Sequence, residues 1–129
     1  LARTFALTIT RLMHLAEDDF APLTRRDAQP VWSDPSVGFK RRSVSPPAQA
    51  LAAEVLECAL EPDMRITYDE PPRPGLEHHL LLTEGRLDIT VDGRSHALRP
   101  GDCLRYQLFG ASTFATPADS GARYILVVV

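Results

Sequence analysis

Four histidines, two cysteines and a few turn-borne carboxylates are the residues of this sequence with the chemical means to catalyse or to bind a metal. Their spacing argues against most such uses. His78 and His79 are adjacent, and neighbours on a strand point to opposite faces, so without a bulge the two cannot share one site. His96 belongs to a different strand and His14 to an N-terminal helical stretch, whereas a metal site needs three or four converging ligands. Cys58 and Cys103 lie far apart, which is no disulfide framework, and each sits in a strand-like context where a thiol packs as a small hydrophobe. Reduced thiols and a cytoplasmic setting are the expectation. Ser112 lacks the flanking pattern of a nucleophile elbow, and no glycine-rich phosphate loop leads into a helix. Glu84 and Asp102 both fall at turns. These residues predict no catalytic group, no cofactor and no enzyme.

The elements that must position these side chains read as strands. From Pro74 to Tyr106, apolar segments of strand length are divided by turns at Asp92-Gly93 and Pro100-Gly101-Asp102, with glycines at 85, 93 and 101 recurring at a short, even interval. The spacing predicts strands over Glu77–Thr83, Arg86–Val91, Arg94–Leu98, Cys103–Gln107, Ser112–Thr116 and Ala122–Val129. Upstream, Met64–Tyr68 alternates as well. Residues 51–60 favour helix by propensity, yet Leu56, Cys58 and Leu60 alternate with Glu57 and Ala59 as a half-buried strand does. The proline-rich stretch 19–48 predicts a linker carrying arm strands, with candidates at Pro30–Ser33 and Val37–Val44 on a sheet edge. Within it, Trp32 is expected to plug an open end of a barrel. Residues 1–18 have the spacing of two short helices meeting near Leu7-Thr8. So many short strands close most economically into a barrel over residues 49–129.

Composition narrows the function classes. With 44% hydrophobic and 24% charged residues the chain suits one ordinary globular core. A net charge of −3 gives no basic field, so nonspecific nucleic-acid binding by this piece is not expected. No apolar run approaches membrane-spanning length and no secretory signal is visible. The leading Leu1 suggests a piece of something longer.

Glu84-Gly85 after an apolar strand, Asp92-Gly93 at a hairpin and Leu98-Arg99-Pro100-Gly101-Asp102 together resemble the turn pattern of the small-barrel cupins over roughly residues 50–129. Residues 1–18, through their Leu1-Ala2, Phe5, Leu7-Thr8 and Leu12 spacing, resemble the closing segment of a phage-repressor-type helix-turn-helix domain. The combined resemblance is to the cupin sensor domain of a bacterial helix-turn-helix transcription regulator. It implies an all-β fold, a cupin-type double-stranded β-helix (jelly-roll) barrel, preceded by a short N-terminal helical segment. The implied partners are a small-molecule effector in the barrel, DNA through a mostly missing N-terminal domain, no membrane, and a second copy in a homodimer.

The resemblance also assigns metal positions, and here the chain departs from it. With the first motif ending at Gly85, the metal Glu falls on His78 and the two metal His positions on Pro71 and Arg73, or on Pro72 and Pro74 with the shorter spacing. In the second motif the metal His falls on Ser112. His78 is thus the only residue at a family ligand position able to bind a metal well.

If His78 faces inward, period two places Leu80 and Leu82 inside with it, then Leu104 and Tyr106, with Ser112 and Phe114 opposite. The expected ligand-binding set is Arg73, His78, Leu80, Tyr106, Ser112 and Phe114, with Arg73 at the mouth as a carboxylate partner. The same residues also suit a barrel filled by its own side chains. Two further readings follow from the resemblance: a metal-dependent cupin enzyme such as a dioxygenase or isomerase, and a dimerisation module. The apolar final strand must pair either in the barrel or across a dimer.

Overall fold

Period-two alternation becomes structure almost strand for strand. The computed structural model describes residues 20–129, so the N-terminal helical segment expected over residues 1–18, His14 included, lies outside the described residues. In chain order the strands are β1 (Val31–Asp34), β2 (Phe39–Ser45), β3 (Glu54–Leu60), β4 (Arg65–Tyr68), β5 (Leu76–Gly85), β6 (Leu87–Val91), β7 (Arg94–Leu98), β8 (Cys103–Leu108), β9 (Ser112–Ala115) and β10 (Ala122–Val128). Single 3-10 turns at Arg26–Ala28 and Pro35–Val37 are the helical elements of the described chain.

All pairings are antiparallel. They build a six-stranded sheet in the order β1-β2-β3-β10-β5-β8 and a four-stranded sheet in the order β4-β9-β6-β7. The sequence thus forms the expected all-β jelly-roll. Strand β10 lies inside the larger sheet, bonded to β3 on one edge and β5 on the other. Its apolar run is therefore satisfied within the barrel and needs no second copy. β3 forms despite its helical propensity because partners on both sides satisfy its backbone, and tertiary pairing outweighs a weak local preference.

The two sheets enclose Leu80, Leu82, Leu87 and Ile89, each fully buried, with Cys58, Leu60, Phe114, Tyr124 and Leu126 around them. Each such aliphatic side chain contributes about 1.5–3 kcal/mol. The two cysteines, both expected to pack as small hydrophobes, differ in fate. Cys103 is exposed on edge strand β8, opposite the partly exposed Leu81, whereas Cys58 packs inside as the alternation implied.

Two turns require glycine. Asp92 and Gly93 have φ of 53° and 75°, the doubly positive turn whose twist matches a tight β6–β7 hairpin. Gly85, at φ 81°, meets β10 beside the register shift between Arg123 and Tyr124. A Cβ there would stand 1.8 Å from the Gly121 carbonyl oxygen. The acidic turn residues are structural: the Asp102 carboxylate accepts the Arg99 N–H at 2.9 Å, and Glu84 faces Arg123 at 3.5 Å in an exposed ion pair.

Candidate functional site

The inward face of the larger sheet can be followed across its strands by register. Trp32, Arg41, Cys58 and Tyr124 form one row, and Glu54, Val128, His78 and Tyr106 another, two rows further along. Facing them on the smaller sheet, Tyr68 pairs with Ser112 and Ile66 with Phe114. Between the sheets lies a cavity of about 240 Å³, lined by apolar groups such as Leu56, Ile66, Phe114 and Leu126 and by the polar tips of His78, Ser112, Tyr68 and Tyr124. Arg41, Glu54 and Glu70 are its charged lining residues.

His78 is the best-held of the polar groups. Its Nδ1 lies 3.1 Å from the Tyr106 hydroxyl, and the two rings meet edge to face with centroids 5.2 Å apart. Burial pushes the imidazole down from 6.5 to about 4 and pushes the Tyr106 phenol well up, so both are neutral near pH 7. When the phenol donates to Nδ1, the proton sits on Nε2 and is left to donate. Nε2 has no protein partner among the described residues. Because none of their side-chain N or O atoms is both sealed from solvent and unpaired, this nitrogen remains reachable. Ser112 is buried, and its hydroxyl likewise makes no protein hydrogen bond among these residues. Cys58 is a poor nucleophile in this setting. Burial raises its thiol to about 12, against the opposing pull of Arg41 and a hydrogen bond with Tyr124.

The structure brings His78, Ser112 and Phe114 together in the cavity lining. Tyr106 touches the site through His78, and as a residue it also borders a separate space of about 410 Å³ with Arg94, His96 and Arg105. Leu80 lies in the packed core and does not line the cavity. Arg73 is exposed on the loop between β4 and β5 and is not part of the lining, although Pro71 and Pro72 just before it are. The cation that does line it is Arg41, whose guanidinium stands 4.9 Å over the half-exposed Trp32 ring. In the sequence Arg41 reads as part of a basic run. The available signal was its shared parity with Phe39, which faces the same interior. A wider, shallower groove of about 570 Å³ runs past Gly38, Lys40, Glu61, Glu84 and Arg123 and gathers none of the predicted site residues.

Of the positions that the resemblance assigns to metal ligands, His78 and Ser112 line the cavity together with one member of each alternative pair, Pro71 or Pro72, whereas Arg73 and Pro74 do not. Proline side chains offer no donor atom, and among the described residues no three His, Cys, Asp or Glu side chains come together in a metal-binding group. The residues present do not fit a resident metal.

No family model matches the chain, and no curated protein matches it. Solved structures do. The Cupin_2 domain of an XRE family transcriptional regulator from Enterobacter cloacae is 15% identical, covers 70% of this chain and 95% of its own, and superposes with a TM-score of 0.65. An HTH_3 family transcriptional regulator from Vibrio cholerae is 19% identical with a TM-score of 0.68, matched over 75% of this chain and 54% of its own length. The Fe(II) form of HppE, at 16% identity, covers 87% of this chain and 62% of its own with a TM-score of 0.70. What such distant sequences share is a backbone path, and two facing antiparallel sheets closed around a side-chain-lined cavity give this chain the cupin fold.

Proposed function

We propose that this chain is the effector-binding barrel of a helix-turn-helix transcription regulator, taking a small organic molecule between its sheets. The observation that carries the reading is the cavity itself. It is walled by apolar side chains and keeps reachable, unspent hydrogen-bonding groups at His78 Nε2 and Ser112 Oγ, the pattern by which binding pockets combine burial with orientation. Its volume of about 240 Å³ suits a small organic molecule. Regulators among the structures of the same fold support the placement downstream of a DNA-binding module, to which residues 1–18 would belong. Ligand occupancy would act on DNA through differential affinity for two arrangements of the domains, and a homodimer would present two such modules.

Calorimetric titration with small carboxylates, amines, amino acids and sulfur compounds tests the reading. Saturable binding weakened by Ser112→Trp, which fills the space, is the expected result. Heat from none of the compounds would count against effector sensing. A metal-dependent enzyme is the competing reading, favoured by His78 standing at a family ligand position and by the Fe(II) HppE neighbour. Elemental analysis separates the two: a stoichiometric metal lost on His78→Ala would replace the sensor reading.

A further inference from the structure

The cavity carries charges of both signs that the protein leaves unpaired. Among the described residues the ion pairs are Arg26–Glu57, His79–Glu77 and Arg123–Glu84, none of which involves Arg41, Glu54 or Glu70. Arg41 is held from below by the Trp32 ring, a contact that orients the guanidinium without neutralising it. Glu54 is half-buried on β3, four residues before Cys58, the register partner of Arg41. At about 3.3 Å per residue, Arg41 and Glu54 are rooted roughly 13 Å apart along one sheet face. Both side chains border the same cavity, the Arg41 guanidinium over Trp32 of β1 and Glu54 on β3. Glu70 joins the same lining from the loop after β4.

Resting on the effector reading, we infer that the ligand is a small ammonium-carboxylate zwitterion, an α-amino acid with a short apolar side chain. Its carboxylate pairs with Arg41 and its ammonium with Glu54 and Glu70, while Leu56, Ile66 and Leu126 enclose the aliphatic part. A simple carboxylate would leave the two acidic groups facing it unmatched, and a diamine would meet Arg41 with like charge. His78 Nε2 and Ser112 Oγ supply neutral hydrogen bonds in either case, so the selection of the dipole lies with the three charged side chains.

Titrating the full chain with L-valine, and with isobutylamine and isobutyrate as its two halves, tests the inference by calorimetry. Valine is expected to bind at least about tenfold more tightly than either half, because each half forfeits one charge-assisted contact. Arg41→Gln is expected to weaken valine by about tenfold or more and to leave isobutylamine unchanged. The double variant Glu54→Gln/Glu70→Gln should weaken valine and spare isobutyrate. Circular dichroism checks that these variants remain folded. Either half binding within about a factor of three of valine, or unchanged valine affinity in both variants, would overturn the zwitterion while leaving an effector site in place. Binding of none of the three probes overturns it as well, and the broader panel above then decides separately whether the cavity takes any organic ligand.

Discussion

His78 shows how one residue ties stability to the site. Its ring is buried, its Nδ1 is occupied by Tyr106, and burial holds it neutral down to about pH 4. The sign of the linkage follows. Below about pH 6.5 the unfolded chain takes up a proton that the folded chain refuses, so stability falls from pH 6.5 towards 4 and the loss then levels off. A shift from 6.5 to about 4 corresponds to on the order of 3 kcal/mol. Urea unfolding of wild type and His78→Gln at pH 7 and pH 4.5 is expected to show a smaller pH loss in the variant, and equal losses would contradict the account. At this scale the sequence was legible wherever parity decided orientation: His78, Ser112 and Phe114 share the cavity because each faces inward on a regular strand. Arg41 stands in the basic run Lys40-Arg41-Arg42, which reads as solvated and masks the parity it shares with Phe39, and Glu70 lies on a loop, whose direction no period governs.

At the scale of the strand, the turn glycines differ in what they do. Gly85→Ala puts a methyl into the Gly121 carbonyl at a positive φ, so a loss of several kcal/mol in chemical denaturation is expected. Gly93→Ala meets nothing within 4 Å and should cost only the backbone strain, about 1–2 kcal/mol. Similar losses at the two sites would refute the distinction. Thr116 ties β9 to the start of β4: its Oγ1 donates to the Glu61 carbonyl at 2.6 Å and accepts the Met64 N–H at 3.0 Å. Thr116→Val leaves both backbone groups without that partner. A loss of about 2 kcal/mol or more is expected, whereas Thr116→Ser, which keeps the hydroxyl, should lose less. The strands themselves were readable because turn residues and alternation agree. The β3 segment shows the limit, since its Ala, Leu and Glu content favours helix and only the partners contributed by β2 and β10 settle it.

For the whole molecule, the jelly-roll was legible from the order of its turns, and the cavity is a consequence of closing two sheets whose inward side chains do not fill the mouth. No helix of the described residues is long and apolar enough to cross a membrane. A ligand bound only by the folded barrel stabilises it by mass action, about 2.7 kcal/mol at a hundred times Kd, which in a domain of this size raises Tm by roughly ten degrees. A thermal scan over the compound panel should pick out its ligands by that rise.

The site itself is tested most directly by amide NMR of the chain titrated with the best compound. Shifts confined to residues around His78, Ser112, Tyr68 and Leu126, and abolished by Ser112→Trp, are what an effector cavity inside the barrel predicts. Shifts clustered instead on the outer groove near Lys40 and Glu61, or the same pattern persisting in Ser112→Trp, would contradict it.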